Sequence, residues 1–114
     1  MKMLSELEFI HAARPEQLLD DKGIKFFLKQ LPLWSVVEID QKKRLIRQFT
    51  FADFKEALAL TQKIGTLAEY YNHHPTITLE WGKTTVTWWT HSIGGLHQND
   101  FLLAYKTQEL YENL

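Results

Sequence analysis

The stretch Glu69-Tyr70-Tyr71-Asn72-His73-His74-Pro75-Thr76-Ile77-Thr78-Leu79-Glu80-Trp81-Gly82-Lys83-Thr84-Thr85-Val86-Thr87-Trp88-Trp89-Thr90-His91 carries most of the fold's logic. Pro75 lacks a backbone N–H and pushes the residue before it toward extended geometry, so a helix reaching Tyr71 must turn at residues 72–75. Thr76–Trp81 and Thr84–Thr90 then have the threonine, aromatic and β-branched content of strands, with Gly82 at the turn between them. Antiparallel pairing about that turn brings Pro75 beside Thr90. His73 and His74 thereby approach His91 at one end of a sheet, although eighteen positions separate His73 from His91.

Upstream, the spacing predicts a helix from about Phe51 to Tyr71, with Phe54, Ala57, Leu58, Thr61, Ile64, Gly65, Ala68 and Tyr71 on one face. Thr50 is its expected N-cap, with Asp53 three residues on as an acidic variant of the capping box. Gly65 weakens the helix by up to ~1 kcal/mol relative to Ala, and close packing on the sheet is the expected compensation. Before it, Trp34–Ile39 and Leu45–Phe49 read as a hairpin about the polar turn Asp40-Gln41-Lys42-Lys43. Pro15 opens a helical pattern running to about Gln30, ended by Pro32. Downstream, Ser92–Gly95 is a loop and a last helix spans about Asn99 to Glu112. The order α-β-β-α-β-β-α describes an α+β domain, with helices on one face of a four-stranded antiparallel sheet. Residues 15–114 form this single domain, and the poorly patterned residues 1–14 are an N-terminal extension.

Composition narrows the chemistry. A chain of 114 residues with 45% hydrophobic and 24% charged residues can bury an ordinary core. With no cysteine, disulfides, thiolate nucleophiles and cysteine zinc sites are excluded. The formal charge of −1 argues against nucleic acid as partner, and Lys42, Lys43 and Arg44 read as a solvated hairpin tip. No apolar run approaches the ~20 residues that span a bilayer, and the first residues lack the continuous apolar stretch of a signal peptide. A cytoplasmic setting without membrane contact is expected.

Five histidines remain to be explained. They can be satisfied polar residues of loops, metal ligands, or acid–base groups. Adjacent histidines on an extended chain point to opposite sides, and no carboxylate has a familiar metal-ligand spacing to them. Imidazoles with pKa near ~6.5 can both give and take protons at neutral pH. Trp81, Trp88, Trp89, Tyr70 and Tyr71 add flat aromatic surface, which suits a heterocycle that needs proton transfer.

The spaced set from Glu69 through His73-His74-Pro75 and Trp81, to Thr90-His91 and then Gly95-Leu96 with Asp100, resembles the pterin-4a-carbinolamine dehydratase signature. Trp34 and Phe49-Thr50-Phe51-Ala52-Asp53-Phe54 fit the same family, and the match covers about residues 16–112. The resemblance implies a hydro-lyase that removes water from 4a-hydroxytetrahydropterin, giving quinonoid dihydropterin for aromatic amino-acid hydroxylases. It implies no metal and no organic cofactor, and assembly as a homodimer or homotetramer. His73, His74 and His91 are then the catalytic residues; the reaction itself suggests His73 and His74 as acids toward the hydroxyl and His91 as base, or the same roles exchanged. Pro75, Thr90, Ser92 and Ile93 join them in binding the pterin, and Glu69 and Asp100 are supporting residues. His97 stands where the family commonly has a Ser or Thr helix cap, and is expected to be a surface substitution. His11 falls outside the match and receives no role. A non-catalytic pterin-binding or protein-interaction module of the same fold is the alternative. A metal enzyme using His73, His91 and His97 is a third reading.

Overall fold

The structure is a computed structural model that describes residues 2–114; Met1 lies outside the described residues. Four strands, β1 (Ser35–Ile39), β2 (Lys42–Thr50), β3 (Thr76–Glu80) and β4 (Lys83–Trp88), form one antiparallel sheet in the order β1-β2-β4-β3. Three α-helices are α1 (Asp21–Leu28), α2 (Phe54–Tyr71) and α3 (Gln98–Glu112). The predicted order α-β-β-α-β-β-α is the observed one.

Strand alternation decides which face is covered. Leu45, Arg47 and Phe49 of β2 lie opposite Trp88, Val86 and Thr84 of β4, and Val86 and Thr84 lie opposite Ile77 and Leu79 of β3. Leu45, Phe49, Val86 and Trp88 are fully buried, under Leu60 and Ile64 of α2 and Leu103 of α3. The uncovered face carries Ile46, Gln48, Thr76, Thr78, Thr85 and Thr87. No helix among the described residues is long and apolar enough to cross a membrane.

Several element boundaries differ from those predicted, each for a local reason. The first helix is not continuous: Pro15–Gln17 is a short 3₁₀ turn, and α1 starts afresh where Asp20 accepts a bond from the Gly23 N–H at 2.8 Å. The β1–β2 turn is only Asp40-Gln41, both at positive φ (52° and 63°), so Lys42 and Lys43 belong to β2. Thr50 is not the cap of α2. It ends β2 opposite Lys83, and Asp53 is the N-cap, accepting from the Glu56 N–H at 2.9 Å. On α2 the inward residues are Ala57, Leu60, Ile64 and Ala68, while Phe54 is 43% exposed. Gly65 does not pack on the sheet, since a Cβ there would meet nothing within 4 Å.

The N-terminal extension packs against the domain. Leu4 is 1% exposed in the core, and its N–H donates to Gln30 Oε1 at 2.8 Å. Asn99 clasps Ile10 by both backbone groups, accepting from its N–H at 2.9 Å and donating to its carbonyl at 2.8 Å.

Candidate active site

The end of α2 sets the first side of the site. Asn72 adopts a left-handed conformation (φ 50°), and the His73 N–H reaches back to the Ala68 carbonyl at 3.1 Å. Asparagine tolerates that geometry better than most residues with a Cβ. The chain leaves the helix reversed and extended, so His73 and His74 diverge as adjacent residues on an extended chain must. His73 turns inward: its Nε2 meets Asp100 Oδ1 at 2.7 Å and its ring lies parallel to Trp88, with centroids 5.8 Å apart. His74 turns outward, where its Nε2 meets Glu69 Oε2 at 2.5 Å.

The β3–β4 hairpin supplies the second side. Thr76 pairs with Thr87, so the chain beyond Trp88 returns beside Pro75. Thr90 then closes a tight loop by bridging Gly95, with its N–H bonded to the Gly95 carbonyl at 2.9 Å. Gly94 reverses the chain at φ 68°, a conformation costly for residues with a side chain. The loop presents His91, whose ring stacks on Trp89 with centroids 3.9 Å apart. Trp89 is 8% exposed and also carries the Arg44 guanidinium, 4.1 Å from its ring.

These two sides enclose a cleft of about 410 Å³ lined by His73, His74, Pro75, Thr90, His91 and Ser92, with Asn72 and Thr76. The predicted convergence of the three histidines is therefore what the chain forms. Ile93 does not line this cleft. Neither Trp81, 73% exposed at the hairpin's other end, nor Tyr70, 80% exposed on α2, belongs to it. The larger groove of about 840 Å³ lies elsewhere, between Phe51, Ala59 and Tyr111, and contains no histidine.

Asp100 knits the site together from α3. It is fully buried, and three donors converge on its carboxylate. His73 Nε2 reaches Oδ1, while Thr90 Oγ1 and the His97 N–H reach Oδ2 at 2.7 Å and 2.9 Å. A buried carboxylate with this many donors is a rigid fixture. It ties the histidine at the helix exit to the loop that bears His91.

His97 is not a surface substitution. It is fully buried and is itself the N-cap of α3: its Nδ1 accepts from the Asn99 N–H at 3.0 Å, and its Nε2 meets Gln17 Oε1 at 3.1 Å. An imidazole caps as a hydroxyl does, provided Nδ1 keeps its lone pair. Burial lowers the His97 pKa, with His73 adding to the effect and Asp100 opposing it. The His91 pKa is lowered too, first by desolvation, then by His73, Arg44 and Lys42, against Asp100.

Two groups of residues near the cleft lack any sequence signal. Residues 9–13 line an adjoining hollow beside His73, although their apolar positions follow no period. Arg44 reaches Trp89 only because β1, β2 and β4 are laid side by side. Among the described residues, no group of three or more His, Asp or Glu side chains could hold a metal ion.

Comparison with known proteins agrees with this architecture. The family model described as Pterin 4 alpha carbinolamine dehydratase matches residues 17–110. A Chlorobium limicola relative named for that dehydratase is 54% identical over 98% of this chain and 99% of its own length. A Marinobacter nauticus relative of the same name is 55% identical over 74% of this chain and 76% of its own length. The crystal structure of a transcriptional coactivator/pterin dehydratase from Brucella melitensis superposes with a TM-score of 0.74 at 27% identity, covering 82% of this chain and 97% of that one. A pterin dehydratase-like RuBisCO assembly factor of the alpha-carboxysome shares the fold at TM-score 0.57 and 18% identity, over 68% of this chain and 87% of its own. With a family model spanning most of its length and relatives about half identical over nearly all of it, the chain belongs to the pterin 4 alpha carbinolamine dehydratase family.

Proposed function

We propose that this cleft dehydrates a 4a-hydroxytetrahydropterin to quinonoid dihydropterin and water. The observation that carries this reading is three imidazoles on one small cleft, two held by carboxylates and one by an indole: His73 by Asp100, His74 by Glu69 and His91 by Trp89. The reaction breaks the C4a–O bond as the lone pair of the adjacent ring nitrogen forms a C=N bond. One proton goes to the departing hydroxyl, and the proton on that nitrogen goes to a base.

His73 and His74 are the acids in this scheme. Each has a carboxylate at Nε2, which fixes the ring and leaves Nδ1 for the substrate. His91 is the base, because its lowered pKa keeps a lone pair available at neutral pH. Pro75, Thr90, Ser92 and the backbone at the strand ends hold the flat ring, and Ile93 acts only through the loop it belongs to. The chemistry needs no cofactor, since the nitrogen lone pair already assists departure of the hydroxyl.

Dehydration of a freshly generated 4a-hydroxytetrahydropterin, followed by the rise of the quinonoid product, tests the proposal. His73→Ala and His91→Ala are each expected to lower turnover by about 10²-fold or more. Full turnover in both variants would overturn the assignment. We also propose that the working unit is a homodimer or homotetramer, because β1 and β3 are open sheet edges and exposed apolar side chains flank α2.

A further inference from the structure

The histidine cleft is only half of the hollow around His73. A second cleft of about 290 Å³ adjoins it, walled by residues 9–13 on one side and by Asn72, His73, Thr90 and Ser92 on the other. These last four residues line both clefts, so the two spaces are continuous.

The wall made by residues 9–13 is fixed in place. Asn99, 2% exposed, holds both backbone groups of Ile10. Phe9 sets its ring against Tyr71 at 5.0 Å and edge-on to His73 at 6.1 Å. Ala12 sits at φ 57°, a left-handed conformation that costs a residue with a Cβ about 1–2 kcal/mol. Such strain persists where the surroundings over-determine the chain, and it clusters at ligand sites.

The lining also defines the chemistry of an occupant. It contains no Lys, Arg, Asp or Glu, so its ionisable side chains are the imidazoles of His11 and His73 and the Tyr71 phenol, and no permanent charge lines it. It does offer the hydroxyl of Ser92, the acceptor lone pairs of the Thr90 hydroxyl that donates to Asp100, the amide of Asn72 and the imidazole of His11. His11 has no hydrogen-bond partner among the described residues and rests edge-on against Phe9 at 5.3 Å. A short, uncharged, hydroxylated chain is what such groups bind.

We propose that this second cleft is a subsite for the hydroxylated side chain of the pterin, with His11 and the backbone of residues 10–13 reading its hydroxyls. The assignment rests on the dehydratase reading. In that reading His91 takes the proton of the ring nitrogen, and the carbon bearing the side chain is that nitrogen's neighbour. Ser92 follows His91 in the chain and lines both clefts, so a substituent on that carbon passes Ser92 toward residues 9–13.

Selectivity between two substrates tests it. Full-length wild type, His11→Ala and Ala13→Leu are compared on the 4a-carbinolamines of 6-methyl- and 6-(1,2-dihydroxypropyl)-tetrahydropterin, and by calorimetry on the two corresponding dihydropterins. His11→Ala removes a polar contact, and Ala13→Leu fills the cleft. Each is expected to lower the preference for the dihydroxypropyl compound about tenfold, in kcat/KM and in Kd alike. A ratio within twofold of wild type in both variants overturns the subsite, even if both activities fall together. Absence of wild-type turnover on either carbinolamine overturns the dehydratase reading instead, and the Kd ratios then decide the subsite alone. Circular dichroism identifies a variant that fails to fold, in which case the other decides.

Discussion

At the scale of single residues, the cleft sets one histidine apart from the other two. His73 and His74 keep carboxylate partners, whereas His91 has an indole beneath it and cations nearby. The groups that bear on His91 are Arg44 and Lys42 from β2, His73 from the helix exit and Asp100 from α3. Partial desolvation, the neighbouring imidazole and the two cations all disfavour its protonated form, and only Asp100 opposes them. In the proposed mechanism His91 is the base, so a lowered pKa keeps it active to lower pH, and activity falls as pH drops through that pKa. Arg44→Gln removes one cation, so the His91 pKa rises and the acid limb of kcat/KM moves to higher pH. Arg44→Lys keeps the charge and is expected to restore the limb toward wild type. If both variants leave the limb in place, Arg44 only packs against Trp89 and does not tune the base.

At the scale of elements, the α3 N-terminus is where structure and chemistry share parts. Asp100 closes a capping box with the His97 N–H while also holding His73 and Thr90, so the helix start and the site form together. His97 has a lower pKa folded than unfolded, so the unfolded chain binds more protons and stability falls as pH drops below about 6.5. His97→Asn keeps a cap acceptor but cannot titrate, and it loses the Gln17 bond and part of a fully buried ring. Urea unfolding is expected to show the variant about 1–2 kcal/mol less stable at pH 7.5, with a smaller gap at pH 5. An equal gap at both pH values would separate His97 from the pH dependence. The elements were legible wherever local chemistry forces one outcome. Pro75 and Gly82 bracket β3, and Thr76–Trp88 have no competing helical period. Boundaries misread from the sequence were set by rivals that tertiary structure arbitrates: Thr50 or Asp53 as cap was decided by the pairing of Thr50 with Lys83. His97 was misread because a buried imidazole cap looks, in sequence, like any polar residue before a helix.

At the scale of the whole molecule, the three-histidine cleft was legible because one hairpin register brings its parts together, whereas the wall of residues 9–13 depends on Asn99, eighty-nine positions away from Ile10. No periodicity in Leu4, Leu7, Phe9 and Ile10 announces that contact. Outside the cleft, the molecule leaves apolar surface that a single copy does not use. The groove of about 840 Å³ beside Phe51 and Tyr111 and a second of about 540 Å³ beside Leu67, Tyr70 and Leu110 share Ala59 on α2. Together they make an open track along the outer side of that helix, flanked by Phe54 and by Tyr70, which is 80% exposed. Its lining mixes apolar Phe51, Ala59, Leu67 and Leu110 with Glu56, Lys63 and Glu112, and in the proposed oligomer a two-fold pairing of α2 with α2 would cover the same track on both copies. Light scattering on wild type is expected to give a multiple of the 13.5 kDa chain mass. Tyr70→Glu and Ala59→Glu, which place charge on that track away from the histidines, are expected to shift the population toward smaller species. A single 13.5 kDa species in wild type would sink the oligomer, and an unchanged multiple in both variants would move its interface to the open sheet edges.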